Sequence, residues 1–483
     1  MTEMECWTWP PRYDAGYRPD PGSRHWFPKR ETMPPAERDA AILARLRDVC
    51  AYAHEHSGLY RRKWDEAGFH PSQIVSLEAF EEKCPVLTKA ELRASQADHP
   101  PFGDYVCVDD AEIFHIHGTS GTTGQPTAFA ISRGDWDAMA NAHARTMWAM
   151  GIRPTDIVFV AAILSLYMGS WGALAGAERL GAKAFPFGAG APGMSVRALS
   201  WMRSVRPKAF YGTPSYALYL AELAAKEGFS TADLGIETLF FSGEPGASVP
   251  GVKERLASSY RAQVIDCGSM AEMTPFMNVS GSRELPNGML CWQDIVYTEV
   301  CDPATFRRVP YGESGTPVYT HLERLSQPMI RLVSGDLTTW TDDPSPCGRT
   351  YPILPRGIFG RIDDMFTIRG ENVYPSEVDA ALNQVAGYGG EHRIVITRDG
   401  AMDELLLRVE PTEALQLGGD SALRGFHETV VGRIQAVLGL RTAVEVVAPG
   451  TFPRTDFKAR RVIDDREVFR EMRGRITQRG QDG

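Results

Sequence analysis

The stretch Thr119-Ser120-Gly121-Thr122-Thr123-Gly124-Gln125-Pro126-Thr127 is the sharpest signal in the chain. Its glycines free the backbone to approach a ligand closely, and its hydroxyls add donors for phosphate oxygens. It is not the GxxxxGK[ST] pattern, because no Gly-Lys-Ser/Thr is present. Taken alone, such a run also suits a plain turn. Its surroundings are more telling. Ile113–Ile116 reads as a strand leading into it. Ser132 with Asp135 then forms a capping signal for a helix striped with Trp136, Met139, Ala140, His143, Met147 and Met150, stopped at Gly151. That stripe predicts core packing rather than a cofactor box. His115 and His117 alternate on the strand, and the spacing predicts satisfied histidines beside the loop rather than metal ligands.

Further on, Ile157–Ala162 is a continuous apolar run, as expected of a strand buried on both faces. Helical segments near 194–204, 216–226 and 250–258 alternate with strands near 183–186, 208–211, 238–241 and 262–266, which predicts βαβ units and a parallel sheet. Beyond 290 the segments shorten and look antiparallel. The last 120 or so residues, with strands at 393–397, 404–409 and 443–447 around a helix at 422–437, read as a small α+β unit. Toward the other end, residues 1–30 read as an irregular aromatic arm. Pro34 and Pro35 open a helix, and a loop-rich stretch follows to about Asp110. The expected fold class is α/β and α+β: a large N-terminal domain with mixed and parallel sheets flanked by helices, and a small mobile C-terminal domain. The expected boundaries are 1–361, with a helical and loop region at 1–110, and 362–483; Gly360–Gly370 reads as a linker.

Composition bounds the partners. Lys+Arg 51 against Asp+Glu 61 leaves a net charge of −10, which argues against nucleic acid as the main partner. Hydrophobic residues at 43% supply ample core and exclude wholesale disorder. Eight cysteines without CxxC spacing predict reduced thiols, and no secretory leader or membrane-spanning run is visible, so a cytoplasmic protein is expected.

The run HGTSGTTGQPT resembles the phosphate loop of the acyl-adenylate-forming superfamily, and residues from about 30 to 470 resemble phenylacetate-CoA ligases. The likeness is carried also by Ser57–Arg62, Tyr211–Ala217, Ser242–Pro245, Met329–Arg331 with Ser334–Thr338, Gly360–Asp364 and Pro453–Ala459. It implies that ATP activates an acid as acyl-AMP with pyrophosphate leaving, and that CoA thiol then displaces AMP. Carboxylate and triphosphate repel each other, so the site must neutralise and align them. By resemblance, Ser120, Gly121, Thr122, Thr123 and Gly124 hold phosphates, with Thr122 acting catalytically. Glu272 and Thr123 hold Mg²⁺, and Gly243, Glu244 and Pro245 shelve adenine. Asp336 takes the ribose hydroxyls, Arg361 reaches ribose or phosphate, Asp363 is the hinge, Gly370 lines the CoA path and Lys458 stabilises the adenylation step.

The acid pocket is expected near Leu166, Tyr167, Trp171, Gly172 and Gly212. There, glycines leaving room and flat aromatic walls favour an aromatic acid. The alternatives are a non-CoA acceptor, such as an amine or carrier protein, or another oxyanion such as nitrite. Family likeness also implies a homodimer. Three departures stand out. Gln125 replaces a usual Lys, Gly268-Ser269-Met270-Ala271-Glu272 lacks the usual aromatic at its head, and Phe457 replaces a usual Gly. Gly281–Gly288 lacks Cys and His, so no structural zinc is expected, since Cys347 alone cannot build a four-ligand site.

Overall fold

The computed structural model describes residues 7–118, 127–166, 168–188, 193–243, 247–248, 250–273, 277–362, 366–368, 371–373, 375–399, 402–438, 442–452 and 462–464. Two compact units emerge: residues 1–248 with 255–359, and residues 360–483 with 249–254.

The larger unit is built on an eight-stranded sheet. In spatial order its strands are Ile353–Leu354, Met289–Cys291, Val279–Ser280, Gln263–Gly268, Thr238–Phe241, Ala209–Gly212, Ile157–Val160 and Lys183–Pro186. The five from Gln263 to Pro186 in this order pair in parallel, and the other three continue antiparallel. Val158, Phe159 and Val160 are wholly buried, as their unbroken apolar run required. The helices Met168–Leu180, Met194–Val205, Pro214–Lys226 and Pro250–Tyr260 supply the crossovers. The first of these had no counterpart in the periodicity reading, because it is apolar nearly all round. A second sheet holds Val296–Cys301, Ser314–His321, Asp336–Thr339 and Ile358–Arg361, with Leu332–Val333 paired to the second.

The stretch expected to be loop-rich before Asp110 is in fact helical at Gly58–Glu66, Leu77–Lys83 and Lys89–Asp98. Each begins at a Ser or Thr that caps a backbone N–H three residues on (Ser57, Ser76 and Thr88), and Thr88 with Glu91 completes a capping box. These helices are too short for periodicity to declare them. The aromatic arm is packed as well. Trp26, Arg30 and Glu31 are fully buried, and Pro28–Glu31 is a helical turn.

The smaller unit sets four strands in the order Ala443–Val446, Met402–Pro411, Tyr388–Asp399 and Val462–Asp464. Phe426, Val430, Ile434 and Leu438 recur every four residues on the helix Gly419–Leu438 and are buried in a core with Ile394, Ile396, Leu407 and Val409. The helix Pro375–Leu382 adds Val378 and Leu382. Within the expected linker Phe366–Ile368 is a strand, paired with Glu371–Val373 just beyond it.

Candidate active site

In open α/β sheets, ligands bind where the carboxyl ends of parallel strands open into a crevice. Four described segments meet that condition. Gly212 ends one strand, Gly243 follows the next, Glu272 follows the third, and the 161–166 segment follows Ile157–Val160. The hairpin Ile113–Gly118 with Ala128–Ser132 brings both ends of the candidate phosphate loop together.

Around Glu272 the geometry is specific. It lies in the short turn Ala271–Met273 and is 8% exposed. Lys89 Nζ, from the first turn of helix Lys89–Asp98, approaches Glu272 Oε1 at 3.6 Å. The Glu272 carbonyl accepts from Arg324 Nη1 at 3.2 Å. Burial pulls the Arg324 guanidinium down to about 10, partly offset by Asp135. His321 Nε2 donates to the Met273 carbonyl at 3.1 Å while its Nδ1 accepts from Met329 N–H. Burial, then the nearby Arg324, holds this imidazole neutral. The turn carrying Glu272 is therefore held from both sides by buried groups.

Tyr211 and Ser242 join neighbouring strand ends through a 2.5 Å hydroxyl pair. Gly243 then turns at φ 91, a left-handed value that favours glycine. Asp336 N–H donates to Ser334 Oγ at 3.0 Å, and Gly335 at φ 77 makes the turn before it. Arg361 ends the strand Ile358–Arg361. Ser120, Gly121, Thr122, Thr123, Gly124, Gln125, Tyr167, Glu244, Pro245, Asp363, Gly370, Phe457 and Lys458 lie outside the described residues, as does the Arg361 side chain.

Of the residues expected to line an acid pocket, Leu166, Trp171, Gly172 and Gly212 are described, and the space beside both glycines is filled by protein neighbours. A Cβ on Gly172 would lie 2.4 Å from the His143 ring, and one on Gly212 would meet Phe210 at 3.0 Å. Their missing side chains admit protein neighbours. Trp171 donates from Nε1 to the Ser165 carbonyl at 2.8 Å. The His115 ring stacks on Trp136 at 4.1 Å, with His117 and Trp171 beside it. Gly268, where the usual aromatic is missing, has no room for one: a Cβ there would meet Val279 at 2.4 Å. Among the described residues, no group of three or more His, Cys, Asp or Glu could hold a metal by itself. Cys347 is buried and pairs with Ser345 Oγ at 2.9 Å.

Sequence reasoning missed Lys89 and the depth of His117. The capping box at Thr88 was the available signal for the former, and it speaks of a helix start, not of a site.

Comparison with known proteins bears on this geometry. Residues 40–319 match the AMP-binding enzyme model, and 370–466 match the AMP-binding enzyme C-terminal domain. The chain is 32% identical to phenylacetate-coenzyme A ligase of Thermus thermophilus, over 91% of this chain and 99% of that one. It belongs to the phenylacetate-CoA ligase family. The Escherichia coli phenylacetate-coenzyme A ligase is 31% identical over 91% of this chain and 97% of its own. Among solved structures, a 2-hydroxyisobutyryl-CoA ligase bound to its acyl-AMP superposes with TM-score 0.93. It shares 68% identity over 98% of this chain and 99% of that one. That protein has also been solved with its acyl-AMP and CoA together in the thioesterification state. Among the described residues, no helix is long and apolar enough to cross a membrane.

Proposed function

We propose that this chain is an ATP-dependent, AMP-forming acid–CoA ligase whose acid is a short branched 2-hydroxy acid of the 2-hydroxyisobutyrate class. The carrying observation is 68% identity, along nearly the whole of both chains, to a ligase captured with 2-hydroxyisobutyryl-AMP and CoA. In this reading the acid's carboxylate attacks the α-phosphate of ATP, pyrophosphate leaves, and the CoA thiol displaces AMP. Ser120, Thr122 and Thr123 hold phosphate oxygens. Asp336 accepts from the ribose hydroxyls, Gly243 to Pro245 flank adenine, Arg361 reaches ribose or phosphate, Asp363 is the hinge and Gly370 borders the CoA path. Lys458 offsets the charge that develops as the carboxylate attacks.

Mg²⁺ fits the residues present. Magnesium is ordinarily held by one or two carboxylates together with substrate phosphates, and Glu272 presents one carboxylate at the mouth of the sheet. When bound, the ion would neutralise charge on the triphosphate. Lys89 keeps Glu272 partnered and oriented meanwhile. ATP and CoA as substrates imply a cytoplasmic setting.

A second reading, an aromatic acid, is favoured by the ring wall of His115, Trp136 and Trp171 and by the phenylacetate ligases at about one-third identity. Acid-dependent ATP–pyrophosphate exchange, followed by CoA-dependent AMP release, decides between them. The expected outcome is that 2-hydroxyisobutyrate outperforms phenylacetate and benzoate in kcat/KM. Higher kcat/KM with phenylacetate would replace the first reading by the second. Exchange that CoA never discharges would point to another acceptor.

A further inference from the structure

The helix Lys89–Asp98 serves two parts of the candidate site with one face. Lys89, Leu92 and Gln96 recur at spacings of three and four, so their side chains lie along one stripe. At the start of the helix Lys89 approaches Glu272 at 3.6 Å. Two turns on, about 10 Å along the axis, stands Gln96, which is 8% exposed. Leu92 between them is buried, and an aliphatic side chain would suit the Gln96 position equally well. A buried amide is costly there unless its donors and its acceptor are met.

They are met, and by the strand that leaves the candidate phosphate loop. Gln96 Oε1 accepts from the Ala128 N–H at 3.0 Å, while Nε2 donates to the Ala128 carbonyl at 2.6 Å and to the Tyr105 hydroxyl. A backbone N–H can only donate, which fixes the end of the amide that faces it. Bonding both backbone groups of one residue is what a neighbouring strand does. Ala128 opens the exit strand, and across the hairpin it pairs with Gly118, which ends the entry strand. Two residues on, the same edge is closed again. The Ala130 N–H donates to Gln327 Oε1 at 2.8 Å, and its carbonyl accepts from Ser326 Oγ at 2.6 Å and Arg324 Nη2 at 3.2 Å. Arg324 is the residue that also holds the Glu272 carbonyl. A two-stranded hairpin is marginal by itself, and here side chains supply the missing third strand.

We propose that Gln96 is a positioning residue for adenylation: its amide takes the place of a third strand at Ala128 and holds the exit of the phosphate loop in register with the carboxylate of Glu272. This rests on the adenylating roles proposed above for the loop and for Glu272, and adds the group that aligns the two. The triphosphate must meet both at once, and a displacement of about 1 Å in such an alignment costs about 100-fold in rate. Acyl-AMP carries no β- or γ-phosphate, so the thioester half-reaction makes no such demand.

The test measures both half-reactions on the full-length enzyme: ATP–pyrophosphate exchange with the acid that wild type uses best, and thioester formation from the corresponding preformed acyl-AMP and CoA. Gln96→Met keeps the length of the side chain and removes its hydrogen bonds. It is expected to lower kcat/KM for ATP by about 10- to 100-fold, while thioester formation and the KM for the acid stay within about twofold of wild type. Should Gln96→Met not fold, Gln96→Glu replaces it. Glu still accepts from the Ala128 N–H but sets a second oxygen against the Ala128 carbonyl, and the same selective loss is expected. Equal loss of both half-reactions would reduce Gln96 to a structural residue and overturn its role, as would a folded variant with wild-type kcat/KM for ATP; either result leaves the ligase reading standing. A wild-type enzyme that exchanges pyrophosphate with no acid on the panel overturns the ligase reading itself, and the role of Gln96 with it.

Discussion

Lys89 and Glu272 stand 3.6 Å apart, the one in the first turn of a helix, the other in a turn after a central strand. If Glu272 is the metal-binding carboxylate, the ammonium competes with the ion for it. Two opposite shifts follow. Glu272→Gln keeps the shape and removes the charge, so the Mg²⁺ concentration giving half-maximal pyrophosphate exchange should rise about tenfold or more. Lys89→Met should move that midpoint down. A metal titration of the three enzymes checks both, and a common upward shift would show that Lys89 and Glu272 act as one structural unit. At this scale the acid itself was legible, because it sits in a recognisable motif. Its partner was not. Lysines are ordinarily solvated, and no spacing rule connects two residues that only a fold brings together.

Between elements, the helices Arg133–Ala149 and Met168–Leu180 pack so closely that the His143 side chain occupies the space of two missing ones. A Cβ on Gly176 would lie 2.4 Å from His143 Cβ and 3.0 Å from its carbonyl carbon. Backbone cannot yield as a flexible side-chain tip can. Gly176→Ala should therefore destabilise the larger unit by about 1–3 kcal/mol, measured by denaturant unfolding. An unchanged midpoint would mean the helices separate freely. The apolar stripe on the first helix was legible in sequence, and Met139 and Met147 are indeed fully buried. Three of the four crossover helices and the parallel strands near 183–186, 208–211, 238–241 and 262–266 were legible too, since helical segments alternating with short, mostly apolar runs mark them. The helices between 58 and 98 were not, because each spans only two or three turns and declares itself mainly through a cap.

Across the whole molecule, a buried charge network draws remote segments together. Arg145 grips Asp294 with two nitrogens at 2.8 and 3.1 Å and meets Glu31 at 2.9 Å. Arg349 also bonds Glu31, at 2.7 Å, and Arg30 bonds both Asp294 and Glu323. All six side chains are essentially without solvent contact. Removing one partner strands its neighbour's charge, so Arg145→Met should cost about 3–5 kcal/mol in thermal or denaturant unfolding. Burial alone would raise the Asp294 pKa, but Arg145 and Arg30 prevail and hold it at about 2. An unfolded Asp titrates near 3.9, at about its ordinary value. The contribution is thus complete above about pH 4 and is lost as pH falls toward 2. Acid unfolding of wild type should show that loss; a variant with Asp294→Asn should not.

Lys458 belongs to this largest scale, since its motif lies in the smaller unit. Lys458→Ala should abolish pyrophosphate exchange while thioester formation from preformed acyl-AMP largely persists; equal loss of both half-reactions would contradict its assignment.

From residue order alone came the sheet's parallel alternation, the two-part α/β and α+β layout and the family, because periodicity and short motifs are local properties of a chain. The partner of Glu272 and the crowded glycines at 172 and 212 had to await folding. Each depends on what stands across a gap of a few ångströms, and distance along the chain does not encode that.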